Sequence, residues 1–233
     1  AAAKAAFPGW SSTPIADRRA RILQLADAMQ ARKDELARLL TQEQGKPIKE
    51  AGGEISASIA FLRHFADMDL APRLVEDTPA RRIEQRHKPL GVVALIVPWN
   101  FPVLMVCGKL GPALITGNTV LIKPAPTTPL CTLVLGELCA EIFPAGVVNV
   151  ITDQNDLGAH ITSHPDVRKV SFTGSSATGR KVMAAAADSI KRITLELGGN
   201  DAAIVLDDVD PEKTAPALFN RAFANNGQVC LAI

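Results

Sequence analysis

Residues 91–102 read GVVALIVPWNFP. From Gly91 to Val97 the run is apolar and does not alternate. A strand with one face in water alternates, whereas a strand buried on both faces does not. Pro98 and Pro102 break the run, so it is too short to span a membrane. The stretch 102–116 is predicted helical, with Pro102 at its first position. A doubly buried strand followed at once by a helix is the opening unit of a parallel α/β sheet.

The unit recurs downstream. NTVLIKP is a second strand, with Thr128-Pro129 opening a helix to about 142. GVVNVI is a third strand, followed by a short helix over 156–163. RKVSF is a fourth strand with a helix over 175–187, RITLEL a fifth, and AAIVL at 202–206 a sixth. Asp210-Pro211 opens a last helix. Repeated β-α units predict a doubly wound parallel sheet.

Upstream, the first third reads as helix. Thr13-Pro14 resembles a cap and first helical position, and Ile22, Leu25, Ala26 and Met29 recur at helical spacing. Leu36, Leu39 and Leu40 continue the apolar face until Gly45 and Pro47 stop it. Residues 48–66 form a further helical candidate. ARRIEQRHKPLG, from residue 80, reads as an exposed polar strand.

Nearly half of the 233 residues (47%) are apolar, enough for a sizeable core, and the net charge is +1. There is no basic stripe, so nucleic acid is a poor partner. Residues 1–10, AAAKAAFPGW, have no apolar signal core. Cys107, Cys131, Cys139 and Cys230 form no CxxC pair and no metal-type cluster, so reduced thiols in a cytoplasmic protein with no bound metal are expected.

In a doubly wound sheet, ligands bind beyond the C-terminal ends of the strands. That rule selects four loops: Pro98 to Asn100, Lys123-Pro124, Thr173 to Gly179, and Glu196 to Gly199. FTGSSATG at 172–179 follows a strand and opens a helix, where Gly174 permits close approach, Ser175 can cap, and first-turn N–H groups suit a pyrophosphate. It is neither GxGxxG nor a P-loop, and an ordinary turn is the bland alternative. The Asn100 amide can donate to an oxyanion or merely cap a helix. Lys123 can bind ribose hydroxyls or simply be solvated. Partial burial of Glu196 would raise its carboxyl pKa toward that of a general base, or it could pair with an arginine. Cys230, behind Gly227-Gln228, is a candidate nucleophile, with a small buried apolar role as the alternative. Cys107, Cys131 and Cys139 take that second role.

Together PLGVVALIVPWNFP, GNTVLIKPA, PAGVVNV, VSFTGSSATG, TLELGGND and NNGQVC resemble the aldehyde dehydrogenase superfamily, from about residue 14 onward. The resemblance implies a Rossmann-like cofactor domain over 1–70 and 90–198, an oligomerisation-arm strand segment over 71–89, and the start of a catalytic domain over 199–233. It implies that Cys230 attacks the aldehyde, that Asn100 and the Cys230 N–H hold the oxyanion, and that Glu196 activates water. It implies NAD or NADP held by Val97, Pro98, Trp99, Lys123, Gly158, Thr173, Gly174, Ser175, Leu197 and Gly198. Pro126 stands where NAD-preferring members often carry a ribose-binding Glu, which leaves NADP open. The implied partners are a small aldehyde and further copies of the chain, as homodimer or homotetramer, with no nucleic acid or membrane. On this resemblance the chain is expected to be an inactive N-terminal piece of a longer enzyme, with Cys230 on a frayed tail. A non-catalytic nucleotide-binding module and a CoA-acylating aldehyde dehydrogenase are the other readings; Glu196 speaks against the latter.

Overall fold

A computed structural model describes residues 1–231. Helices come first: α1 (Ala2–Ser12), α2 (Ile15–Ala31), α3 (Lys33–Gln44) and α4 (Ile48–Ala66). Ile22, Leu25, Ala26 and Met29 form the buried face of α2, and Leu36 and Leu40 that of α3. Gly45, at φ 93°, closes α3 in the left-handed region that glycine enters freely.

Thr13 does not cap α2. Pro14 occupies the cap position, and the Thr13 hydroxyl donates to the Gly9 carbonyl at 3.0 Å. The last carbonyls of α1 lack helical partners, and one claims that hydroxyl. The strand foreseen near residue 80 is half of a hairpin, β1 (Arg73–Asp77) paired antiparallel with β2 (Arg82–Gln85). Its surface is exposed and laced with ion pairs, Arg81 to Glu76 and Arg82 to Asp77 among them.

The remaining strands are β3 (Val92–Ile96), β4 (Thr119–Lys123), β5 (Val148–Val150), β6 (Val167–Thr173) and β7 (Arg192–Glu196). They make one parallel sheet in the order β5-β4-β3-β6-β7. The crossovers are α5 (Pro102–Ile115), α6 (Leu130–Ile142), α7 (Gly158–Ser163) and α8 (Ser176–Ala187), and α9 (Pro211–Ala222) follows the sheet. Central β3 is buried throughout, as its unbroken apolar run predicts. Val93, Leu95 and Val97 face the larger core with α2 to α6, while Val92, Ala94 and Ile96 face Ile161 of α7 and Val182 of α8. The doubly wound sheet stands as expected.

Residues 202–206 do not form the sixth strand. They carry no strand pairing, and Ile204 is 84% exposed. β-propensity makes a strand only where a ladder and a packed face are available, and the chain leaves the sheet at Gly198-Gly199. Thr128 likewise does not cap α6. Its first N–H groups, of Leu130 and Cys131, donate to the Glu43 carboxylate at 2.7 and 3.1 Å. Asp210 does cap α9, accepting the Glu212 N–H at 3.0 Å. Among the described residues no helix is long and apolar enough to cross a membrane.

Leu95→Ala should cost about 2–5 kcal/mol in denaturant unfolding, as buried leucines do. Ile204→Ala should stay within about 0.5 kcal/mol, as surface changes do. Equal costs would return 202–206 to the core.

Candidate active site

The winding reverses between β3 and β6, so the crevice opens beyond the C-terminal ends of those strands. Backbone bonds tie the strand ends together there. The Val97 N–H donates to the Lys123 carbonyl at 3.2 Å, and the Gly174 N–H to the Glu196 carbonyl at 3.0 Å. Val97 is buried, Pro98 half-buried and Trp99 exposed at the rim.

The turn after β6 requires glycine, since a Cβ on Gly174 would lie 2.6 Å from the Phe172 ring. Ser175 caps α8 by accepting the Thr178 N–H at 3.2 Å. The Thr173 hydroxyl is buried without a hydrogen-bond partner. Leu197 packs under α8: a Cβ on Gly179 would fall 2.6 Å from it. Gly158 and Gly198 both face open space.

Lys123 is neither solvated nor free. It is buried and donates to the Asp153 carboxylate at 2.6 Å and to the Pro124 carbonyl at 3.1 Å. The other Asp153 oxygen accepts the Leu157 N–H at 3.1 Å, just before α7. Burial alone pushes the Asp153 carboxyl up, but the Lys123 and backbone hydrogen bonds outweigh it and hold it below the usual range. Pro126 is half-buried in the loop after Lys123.

Asn100 is not a helix cap; that place at α5 is taken by the Glu54 carboxylate, which accepts the Val103 and Leu104 N–H groups. The Asn100 amide instead donates to the Gln228 carbonyl at 2.9 Å, across 128 residues of sequence. Cys230 is exposed two residues further on. A Cβ on Gly199 would lie 3.5 Å from the Cys230 carbonyl oxygen, so the loop after Glu196 reaches the same place. The other three thiols are buried, and burial drives each up, Cys139 to about 12. Asn225, Asn226 and the Gln228 carbonyl are hydrogen-bonded to the body of the chain, while the tail after Cys230, where fraying is expected, runs into residues 232 and 233, outside the described residues. The expected domain start at 199–233 extends over residues 232 and 233, which lie outside the described residues.

Glu196 is exposed, so the partial burial expected of it is absent. β7 is an edge strand of the sheet, paired with β6. The group perturbed beside it is one that the sequence reading passed over. Lys109, on α5, lines an open cavity of about 560 Å³ with Lys169, Ser171, Thr173, Thr194 and Glu196. Its ammonium donates to the Ser171 hydroxyl at 2.9 Å. Burial lowers Lys109 from 10.5 to about 8, Glu196 opposes that fall, and Lys169 adds to it. The signal was a lone cation inside VLMVCGKLGPALI, an otherwise apolar helix. Asp153, Glu54 and Asn225 had no comparable signal, because their partners are distant in sequence.

An open parallel sheet with a crevice at its switch point defines a Rossmann-like α/β class. All 233 residues, 1–233, match the aldehyde dehydrogenase family. The chain belongs to that family. It is 43% identical over 237 aligned residues to succinate-semialdehyde dehydrogenase [NADP(+)] GabD of Escherichia coli, covering 99% of this chain and 49% of that protein. It is 42% identical to glutarate-semialdehyde dehydrogenase of Pseudomonas aeruginosa, with 99% and 49% covered. The NAD+ complex structure of an aldehyde dehydrogenase from Bacillus cereus superposes with a TM-score of 0.95 at 39% identity, covering 99% of this chain and 48% of that one. The chain thus spans about half the length of the curated relatives it matches.

The lowered Lys109 pKa has a thermodynamic consequence. Below about pH 8 the ammonium is charged in both folded and unfolded chains, and its burial penalty is fully present. Between about 8 and 10.5 the unfolded chain holds the extra proton, so stability rises with pH. Across that window the gain of wild type over Lys109→Met should grow by roughly 3 kcal/mol, at about 1.4 kcal/mol per pH unit. Urea unfolding of both proteins at pH 7.5 to 10.5 reads this, and parallel curves would reject the assignment.

Proposed function

We propose that this chain carries the cofactor crevice and the reacting side chains of an NAD(P)-dependent aldehyde oxidation to a carboxylic acid. The observation that carries the reading is the Asn100 amide on the Gln228 carbonyl, which sets an oxyanion donor against the loop bearing the exposed thiol. The residues also fit a dinucleotide. First-turn N–H groups of α8, beside a Gly174 that tolerates no Cβ and the unpartnered Thr173 hydroxyl, suit a pyrophosphate. Trp99, Lys123, Gly158 and Ser175 would line its adenosine and phosphate part, with Val97, Pro98, Leu197 and Gly198 shaping the walls. When bound, the cofactor supplies the hydride acceptor.

The Cys230 thiolate adds to the aldehyde carbon and forms a C–S bond. The carbonyl oxygen becomes an oxyanion, held by the Asn100 amide and the Cys230 N–H. Loss of hydride from that carbon leaves a thioester on Cys230. Glu196 takes a proton from water, the resulting hydroxide attacks the thioester, and the carboxylic acid leaves as the thiolate returns. The exposure of Glu196 admits the water that this step consumes. The relatives named for semialdehydes support an aldehyde substrate of that class. The four free cysteines suit a reducing compartment such as the cytoplasm. The β1–β2 hairpin suits an oligomerisation arm in a homodimer or homotetramer, and 199–233 the start of a catalytic domain.

In a full-length enzyme carrying this chain, Cys230→Ala should abolish NADH or NADPH production from a semialdehyde panel, and iodoacetamide should label Cys230 before the three buried thiols. Labelling of Cys131 or Cys139 in step with lost activity would reject the nucleophile. Glu196→Gln should slow steady-state turnover about 10²–10⁴-fold while the initial NADH burst survives. A vanished burst with an unchanged steady state would remove Glu196 from the hydrolytic step.

A further inference from the structure

The corner between α3 and α4 reaches both loops that carry the proposed chemistry. Lys46 is buried, donates to the Glu54 carboxylate and to the Asn100 carbonyl at 2.8 Å, and lies 4.1 Å over the Phe101 ring. The other Glu54 oxygen accepts the N–H groups of Val103 at 2.9 Å and Leu104 at 3.0 Å. One buried carboxylate thus neutralises Lys46 and caps the helix that begins just after Asn100.

A second arm comes from the Cys230 loop. Asn225 is 0% exposed, and its amide donates to the Asn100 carbonyl at 3.0 Å and to the Gln228 carbonyl at 3.2 Å. Its backbone N–H donates to the Glu50 carboxylate at 2.6 Å. Asn225 and Asn226 lie at φ 49° and 57°, in the left-handed region that asparagine tolerates better than most residues. The Asn226 amide reaches the Gly45 carbonyl at 3.0 Å.

We propose that Lys46, Glu50, Glu54 and Asn225 are positioning residues that fix the Asn100 amide against the Cys230 loop before any aldehyde binds. The proposal rests on the roles given above to Asn100 and Cys230. The Asn100 carbonyl receives one donor from each arm, so its peptide plane cannot turn without losing both bonds. The Asn100 amide has two N–H donors. One is held by the Gln228 carbonyl, and the other remains for a substrate oxygen. The oxyanion donor and the nucleophile's chain are therefore oriented through the same carbonyl, an arrangement that spares the reaction a reorganisation cost.

Hydrogen-exchange mass spectrometry of the peptide spanning 223–231, with iodoacetamide kinetics at Cys230, tests this in the native chain and three variants. Asn225→Gly keeps the left-handed backbone and removes both side-chain donors. Glu50→Ala removes the acceptor of the Asn225 N–H, and Glu50→Gln retains one. Glu50 lies on the exposed side of α4, so its replacement leaves folding intact. Asn225→Gly and Glu50→Ala should speed exchange in 223–231 by at least about fivefold, the worth of one hydrogen bond, and alter the Cys230 alkylation rate. Glu50→Gln should restore both. Unchanged exchange and alkylation in Asn225→Gly and Glu50→Ala would overturn the proposal. So would faster exchange spread evenly over the whole chain, or Glu50→Gln behaving as Glu50→Ala does. In a turnover assay of a full-length enzyme carrying this chain, Asn225→Gly should lower kcat and leave the KM for dinucleotide unchanged. A full-length enzyme carrying this chain without turnover would count against the proposed function, whereas the exchange and alkylation results bear on the positioning residues alone.

Discussion

Parallel pairing is the constraint on which the rest of this molecule depends. A parallel neighbour cannot be reached by a tight turn, so the chain must cross back over the sheet each time. Four helices make those crossings here, and each returns the chain to the same end of the sheet, where every strand starts. All five strands therefore end on one side. Lys123, Thr173, Glu196 and the Pro98–Asn100 loop meet there because their strands are parallel, although they are spread over about a hundred residues of sequence.

The same sheet has two unequal faces beyond its centre. Along β6, Val170 and Phe172 turn toward α7 and α8 and are buried. Lys169, Ser171 and Thr173 turn the other way, into the open cavity with Lys109. The α5 side of β6 and β7 is thus polar where the α5 side of β3 and β4 is apolar. Period-two alternation in KVSFT marks that difference, while the unbroken GVVALIV marks burial on both sides. It is also why a lysine survives on α5, where its neighbours Val106 and Leu110 are wholly buried.

Local patterns made most of the fold legible. β3, β4, β6 and the helices after them came from runs and breakers that act within a few residues. AAIVL failed because apolar, β-prone residues specify a strand only where a partner edge is present, and that information lies outside the segment. The caps failed for a related reason. Asn100 and Thr128 have the right type and stand just ahead of α5 and α6, yet the N-termini of those helices are satisfied by Glu54 and Glu43, far away in sequence. At the site, Asn100, Cys230 and the turn after β6 were visible through their motifs. The engagement of Lys123 by Asp153 was not, since neither residue signals the other across 30 positions.

Those long-range carboxylates share a physical logic. A buried ion pair is weak evidence for stability, because two desolvation penalties offset its attraction, and an apolar pair of similar shape often does as well. Burial indeed pushes Lys46 down and Glu54 up, each away from the charged form that the pair requires. What an apolar replacement could not do is bond to backbone. Glu54 holds two N–H groups of α5 and Lys46 holds the Asn100 carbonyl. Asp153 likewise holds Lys123 with one oxygen and the Leu157 N–H with the other. In each case the charge costs desolvation, and in return it fixes the loop at the end of a parallel strand in one orientation. Pure packing leaves such loops free to turn, and a site assembled from four of them requires that they do not.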